Sequence, residues 1–108
     1  MQIRKTYKEI NPELLYAEIR DFTLKQGASL GEEKMETYAL PSDTSSFITR
    51  GTLTFRVQEK ECLRVHVVGS ARTETKVMLD SDDKLFSTEK LSALQEDLDF
   101  IFESYEVK

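Results

Sequence analysis

At 108 residues and 12.5 kDa the chain has enough apolar surface for one core and not two, so a single domain over 1–108 is expected and a two-domain enzyme is excluded. Hydrophobic residues at 39% and charged residues at 32% make a globular balance, and four Gly and two Pro exclude a collagen-like or low-complexity chain. Fifteen Lys and Arg against twenty Asp and Glu leave a net charge of −5, a field that repels phosphate backbones and anionic membranes.

From Ile3 to Ile10 apolar or aromatic residues alternate with charged ones, which predicts a first strand with Ile3, Lys5 and Tyr7 on one side. Asn11 can accept from an orphan helix amide, Pro12 has the fixed φ of a first helical position, and Glu13 meets the positive end of the dipole. A helix is therefore expected over 12–26, with Leu15, Ile19 and Phe22 as its apolar stripe, Leu14 widening it and Gly27 ending it. A turn over Ala28 to Gly31 leads to a weaker strand, Glu33 to Leu40, whose facing the pattern leaves open. Pro41 to Ser45 is a turn cluster that predicts a hairpin bend.

Beyond it, Phe47, Leu53, Phe55 and Val57 take one parity and Arg50, Thr52, Thr54 and Arg56 the other, as in a half-buried antiparallel strand with Gly51 as a bulge. After a tight turn at Glu59-Lys60, Leu63, Val65 and Val67 face inward and Cys62, Arg64 and His66 outward. A turn at Gly69 to Arg72 precedes a last strand over 73–80 with Val77 and Leu79 inward and Lys76 outward. The acidic turn Asp80 to Asp83 opens a helix over 88–105, capped by Ser87 or Thr88, with a stripe of Leu91, Leu94, Leu98, Ile101 and Tyr105. Antiparallel neighbours joined by short turns, with helices near the two ends of the chain, predict an α+β fold: five antiparallel strands with two helices on one face, in the order strand, helix, four strands, helix.

The run Ile10-Asn11-Pro12-Glu13-Leu14-Leu15-Tyr16 followed by Ile19-Arg20-Asp21-Phe22 resembles the first strand and helix of the START-like helix-grip superfamily, and the long C-terminal helix agrees with it. The order of elements is also similar to the TATA-binding-protein-like half-domain. The helix-grip resemblance implies an apolar pocket between the sheet and the C-terminal helix, for a lipid, hormone or polyketide-like molecule, or a chaperone-contact surface. Full-sized members have extra strands and a second small helix, for which 108 residues leave no room, and the resemblance supplies no catalytic residue.

No catalytic constellation emerges from the residues. His66 and Cys62 share a strand parity, but four strand residues hold them about 13 Å apart, beyond hydrogen-bond reach. Asp80, Asp82 and Asp83 are hard oxygen donors, yet Lys84 intrudes and the sharp-turn glycine of a calcium loop is missing, so a solvated turn and no metal is expected. Cys62 alone excludes an intrachain disulfide, and MQIRKTYKEI lacks the apolar core of a secretory signal. No run approaches the roughly 20 apolar residues that span a bilayer. A cytosolic protein with no cofactor is expected.

Charge is segregated: over 45–79 the cations Arg50, Arg56, Lys60, Arg64, Arg72 and Lys76 face Glu59, Glu61 and Glu74, a net +3 against −8 elsewhere. Two uses of the domain follow, and an enzyme is a third for which no paired acid-base site emerges. One is a binding domain without catalysis, holding an apolar small molecule or a protein partner between sheet and C-terminal helix, lined by Phe47, Leu53, Phe55, Val65, Leu94, Leu98 and Ile101. The other is a protein- or nucleic-acid-contact module using Arg50, Arg56, Arg64, His66 and Lys76 on the open sheet face, where the lack of aromatic platforms and the acidic remainder disfavour nucleic acid. Phe100 lies off the stripe, and core burial at a helix edge is expected of it, a homodimer or partner contact being the alternative.

Overall fold

The computed structural model describes residues 1–40 and 43–107, with the backbone alone at 40 and 43–46. The elements run β1 (Gln2–Lys8), α1 (Pro12–Lys25), β2 (Ser29–Leu40), β3 (Asp43–Val57), β4 (Lys60–Gly69), β5 (Glu74–Ser81), α2 (Thr88–Phe102) and a terminal 3-10 turn, Glu103–Tyr105. The strands form one antiparallel sheet in the order β1-β5-β4-β3-β2. The first two strands therefore sit at opposite edges, and α1 carries the chain between them. Its 14 residues span about 21 Å at 1.5 Å each, close to the roughly 19 Å of four strand spacings.

Local chemistry sets the helix ends. Asn11 is extended, and its side chain accepts from Glu13 N at 2.9 Å while Pro12 fills the first helical position, where its missing N–H costs nothing. Gly27 at φ 96° lets the chain leave α1 in the left-handed region. Ser87 caps α2 by accepting from Lys90 N at 3.3 Å.

The inner face is built in rows across the sheet. Leu53, Val65, Leu79 and Ile3 stand side by side, as do Gly51, Val67, Val77 and Lys5. Leu15, Tyr16 and Ile19 of α1 and Leu91, Leu94, Leu98 and Phe102 of α2 close over them and join Leu53, Val65, Val67, Val77 and Leu79 in one buried cluster. Full burial of each such side chain contributes about 2 kcal/mol against exposure.

Several local expectations are corrected. Glu9 at φ 58° ends the first strand before Ile10. The second strand starts at Ser29, so the turn expected over Ala28 to Gly31 is largely strand, and a register shift between Leu30 and Glu33 takes up the irregularity. Residues 41 and 42 of the expected hairpin bend lie outside the described residues, and strand resumes at Asp43. The turn placed at Glu59-Lys60 is Gln58-Glu59, both at positive φ, the twist that a two-residue hairpin loop requires.

Gly51 is not a bulge. A Cβ there would lie 2.5 Å from Tyr16 Cδ2, so the glycine is the space that lets α1 approach the sheet. The β3–β4 bulge falls between Phe55 and Arg56, opposite Cys62. The extra residue breaks the alternation, so Cys62 is buried beside Leu63 instead of facing outward with Arg64.

The helix stripes also differ in phase. Leu14 is exposed and Tyr16 is buried in its place. In α2 the stripe leaves Leu98 by four residues to Phe102, whose ring meets Tyr7 edge-on at 6.3 Å, rather than by three to Ile101. Ile101 and Tyr105 are consequently exposed, and Phe100, expected in the core, is 90% exposed.

Candidate functional site

The seven residues expected between the layers divide. Leu53, Phe55, Val65, Leu94 and Leu98 are wholly buried in the single apolar cluster, packed as core. Phe47 is 52% exposed, at a surface depression beside Asn11, Pro12 and Ser70 to Arg72, and Ile101 is 42% exposed.

The five residues of the basic set share the face that the helices leave bare. Arg50, Val68, Lys76 and Thr6 form one row across β3, β4, β5 and β1. Thr52, His66, Met78 and Arg4 form the next, and Thr54, Arg64, Asp80 and Gln2 the third. Arg56 Nε and Thr54 Oγ1 both lie near Gly31, 3.1 and 2.7 Å from where a Cβ on that glycine would stand. Arg64 is held by Glu61 at 2.9 Å, and the paired carboxylate raises its pKa. His66 Nδ1 lies 3.4 Å from Thr52 Oγ1. Among the described residues Arg50, Arg56 and Lys76 enter no ion pair, with Glu36 the residue across from Arg50 in register.

Register reveals what alternation within single strands could not. Tyr38 opposes Ile48, Ile48 lies diagonal to Val68, and Val68 lies diagonal to Met78. An apolar stripe therefore crosses the open face obliquely, with Arg50, Lys76 and Arg4 along its flanks. A shallow depression of about 430 Å³ sits on it, lined by Arg4, Thr6, His66, Val68, Lys76 and Met78. The stripe sets apolar side chains beside cations on the face that the helices leave bare.

The groups with chemical promise elsewhere are occupied structurally. Burial pushes the Cys62 thiol up, which makes it a poor nucleophile. Asp82 accepts from Lys84 N at 3.0 Å, and Asp83 accepts from Ser81 Oγ at 3.3 Å with the N-terminal ammonium 3.6 Å away. Lys5 reaches Asp99 at 2.7 Å and Glu106 at 3.1 Å; burial alone would lower it, but these two partners outweigh burial and hold it above its usual value.

One carboxyl pair escapes any sequence signal, because it joins α1 to α2. Glu18 is raised from 4.5 to about 7, first by its hydrogen bond to Asp97, then by burial and by the Asp97 charge. Asp97 Oδ2 is buried and has no hydrogen-bond partner of its own among the described groups, a desolvated oxygen that disfavours a second negative charge beside it. A folded pKa above the unfolded one means that the pair's stabilisation is complete below pH 4.5 and is lost as pH rises through about 7. Glu18→Gln supplies a permanent donor to Asp97. Its melting temperature is expected to exceed that of the parent at pH 8 and to show a smaller difference between pH 5 and pH 8 in calorimetry.

No protein-family model matches this chain, and no curated protein or solved structure matches it significantly. The fold stands as a small α+β domain with a five-stranded antiparallel sheet and two helices, and no described helix is long and apolar enough to cross a membrane.

Proposed function

We propose that this domain is a non-catalytic contact module that presents the open face of its sheet to an acidic polypeptide segment carrying apolar side chains. The observation that carries this reading is the oblique stripe Tyr38, Ile48, Val68 and Met78, flanked by the cations Arg4, Arg50 and Lys76. Apolar stripe and cationic flank together select a chain that alternates both characters, since a purely apolar ligand would leave the flanks unmatched. Arg50 and Lys76 stand two strands apart in one row with Val68 between them, a separation of about 10 Å. Acidic side chains on either side of one apolar residue can span that distance. Nucleic acid fits less well, because the stripe offers Tyr38 as its one aromatic and the molecule carries a net −5.

The helix-grip resemblance favours a binding role of another kind, with an apolar molecule between sheet and α2. Such a ligand would have to open the single buried cluster to which Leu94, Leu98, Leu53, Phe55 and Val65 all belong. The open face needs no such rearrangement, and it accounts for the charge segregation of the sequence.

Fluorescence anisotropy with a labelled peptide of alternating Glu and Leu tests the proposal. Binding is expected to weaken with added salt, and the double reversal Arg50→Glu with Lys76→Glu should weaken it roughly tenfold, two exposed charge pairs being turned from attraction to repulsion. Unchanged affinity in that variant would refute the reading, as would a single-stranded oligonucleotide that binds more tightly than the peptide.

A further inference from the structure

The two edges of the sheet are treated differently. At the β1 edge the C-terminal segment returns to pair with the strand: Glu106 bridges Tyr7, Val107 N donates to Thr6 O at 2.8 Å, and Glu106 holds Lys5. At the β2 edge, among the described residues, no strand or bridge covers the outer row of backbone groups. Between its two register irregularities β2 is regular from Glu33 to Ala39. A long edge with unpaired amides and carbonyls is a template for another strand.

We infer that the edge of β2 pairs with β2 of a second copy of this chain, antiparallel about a two-fold axis through Met35, joining two five-stranded sheets into one of ten strands. Charge selects the occupant. In antiparallel pairing about Met35, the residue before it faces the residue after it in the other copy. Lys34 therefore opposes Glu36 of the second copy, twice, and Glu33 opposes Thr37. Lys34 and Glu36 already pair within one strand at 2.8 Å, so the four groups would alternate in sign around the axis. The other centres serve worse. Pairing about Lys34 sets that lysine against itself and Glu32 against Glu36; pairing about Glu33 or Glu36 sets a carboxylate against its own copy. Pairing about Thr37 avoids repulsion but brings no opposite charges together.

The helix side of the same edge agrees. Met35 is partly exposed beside Tyr16, in a trough of about 340 Å³ whose wall includes Ala17, Arg20 and Glu33. A two-fold axis normal to the sheet sets the two Met35 side chains together there and keeps the helices of both copies on one side. Such an interface is isologous and closes as a dimer. The inference does not rest on the peptide-binding reading; it concerns the sheet edge and not its open face.

Sedimentation equilibrium across a concentration series tests it. The parent is expected to approach twice 12.5 kDa. Lys34→Glu places like charges in both pairs and should weaken the dimer about tenfold or more, whereas Lys34→Glu with Glu36→Lys restores opposite signs and should recover it. Lys34 is exposed, so circular dichroism should show both variants folded. Met35→Cys should form an intermolecular disulfide on mild oxidation, since opposed residues of an antiparallel pair fall within reach of a disulfide, and Thr37→Cys should not. A parent that stays monomeric throughout, a charge swap that fails to restore the dimer, or cross-linking of Thr37→Cys as readily as Met35→Cys would each overturn the inference.

Discussion

Gly69→Ala is expected to cost about 3 kcal/mol, at the top of the range for added volume in a packed site, and to lower the melting temperature by roughly 15 °C. Gly69 ends β4 opposite Thr75, where the chain turns back through Ser70 to Glu74. A Cβ on Gly69 would stand 2.4 Å from both Glu74 O and Thr75 Cα. Those are backbone atoms of the neighbouring strand, so no side chain can swing aside and the ladder itself must open. Thr75 is buried, with its hydroxyl donating to Ile10 O at 3.4 Å, so the displacement would pass to the start of α1. Two other glycines set the scale. At Gly51 the obstruction is the Tyr16 ring, which can tilt at some cost in packing; at Gly27 the space is empty and only the positive φ opposes a side chain, a cost of about 1 kcal/mol. Thermal melts of the three alanine variants should rank Gly69 lowest, then Gly51, then Gly27. Equal losses at all three would show that the close approach at Gly69 is relieved by movements that the packing argument does not contain.

What is local in this fold is legible in the sequence. Asn11-Pro12 and Ser87 announce their helices because capping is local chemistry, complete within four residues. Strands β3, β4 and β5 announce themselves by alternation, since one face is wet and the other dry. Features that depend on a neighbour stay hidden. The bulge at Cys62 has no Gly or Pro to mark it, so nothing in the sequence breaks the parity until β3 supplies the register. Gln58 and Glu59 adopt positive φ although neither residue type favours it, the hairpin twist overriding local preference. Ile101 and Phe102 satisfy helical spacing equally well, and only the Tyr7 ring below decides between them. The basic set Arg50, Arg56, Arg64, His66 and Lys76 could be placed on one face from parity alone. The apolar stripe between them could not, because its four members come from four strands. Glu18 and Asp97 are polar residues on separate helices, and the rise in the Glu18 pKa exists only once α1 brings it to Asp97 on α2.

Leu98→Ala bears most directly on how the two layers serve the molecule. Leu98 is wholly buried in the shared cluster, one α2 turn from Leu94 and four residues before Phe102. If the interlayer is core, truncation removes packed atoms and leaves a void that the stiff sheet beneath cannot follow, at a cost of about 3 kcal/mol within the 2–5 range of such changes. The void would be lined by apolar groups and therefore dry, so a small aromatic probe such as benzene should bind the variant and not the parent, raising the melting temperature of the variant alone. If instead the layers normally part to hold an apolar molecule, the parent itself should gain stability from such probes, and the truncation should cost well under 2 kcal/mol because Leu98 would lack full contact to lose. The expected result is a large loss in the variant, rescued by the probe, and a parent indifferent to it. That outcome assigns the space between sheet and α2 to stability and favours the proposed contact at the open face over a ligand held between the layers.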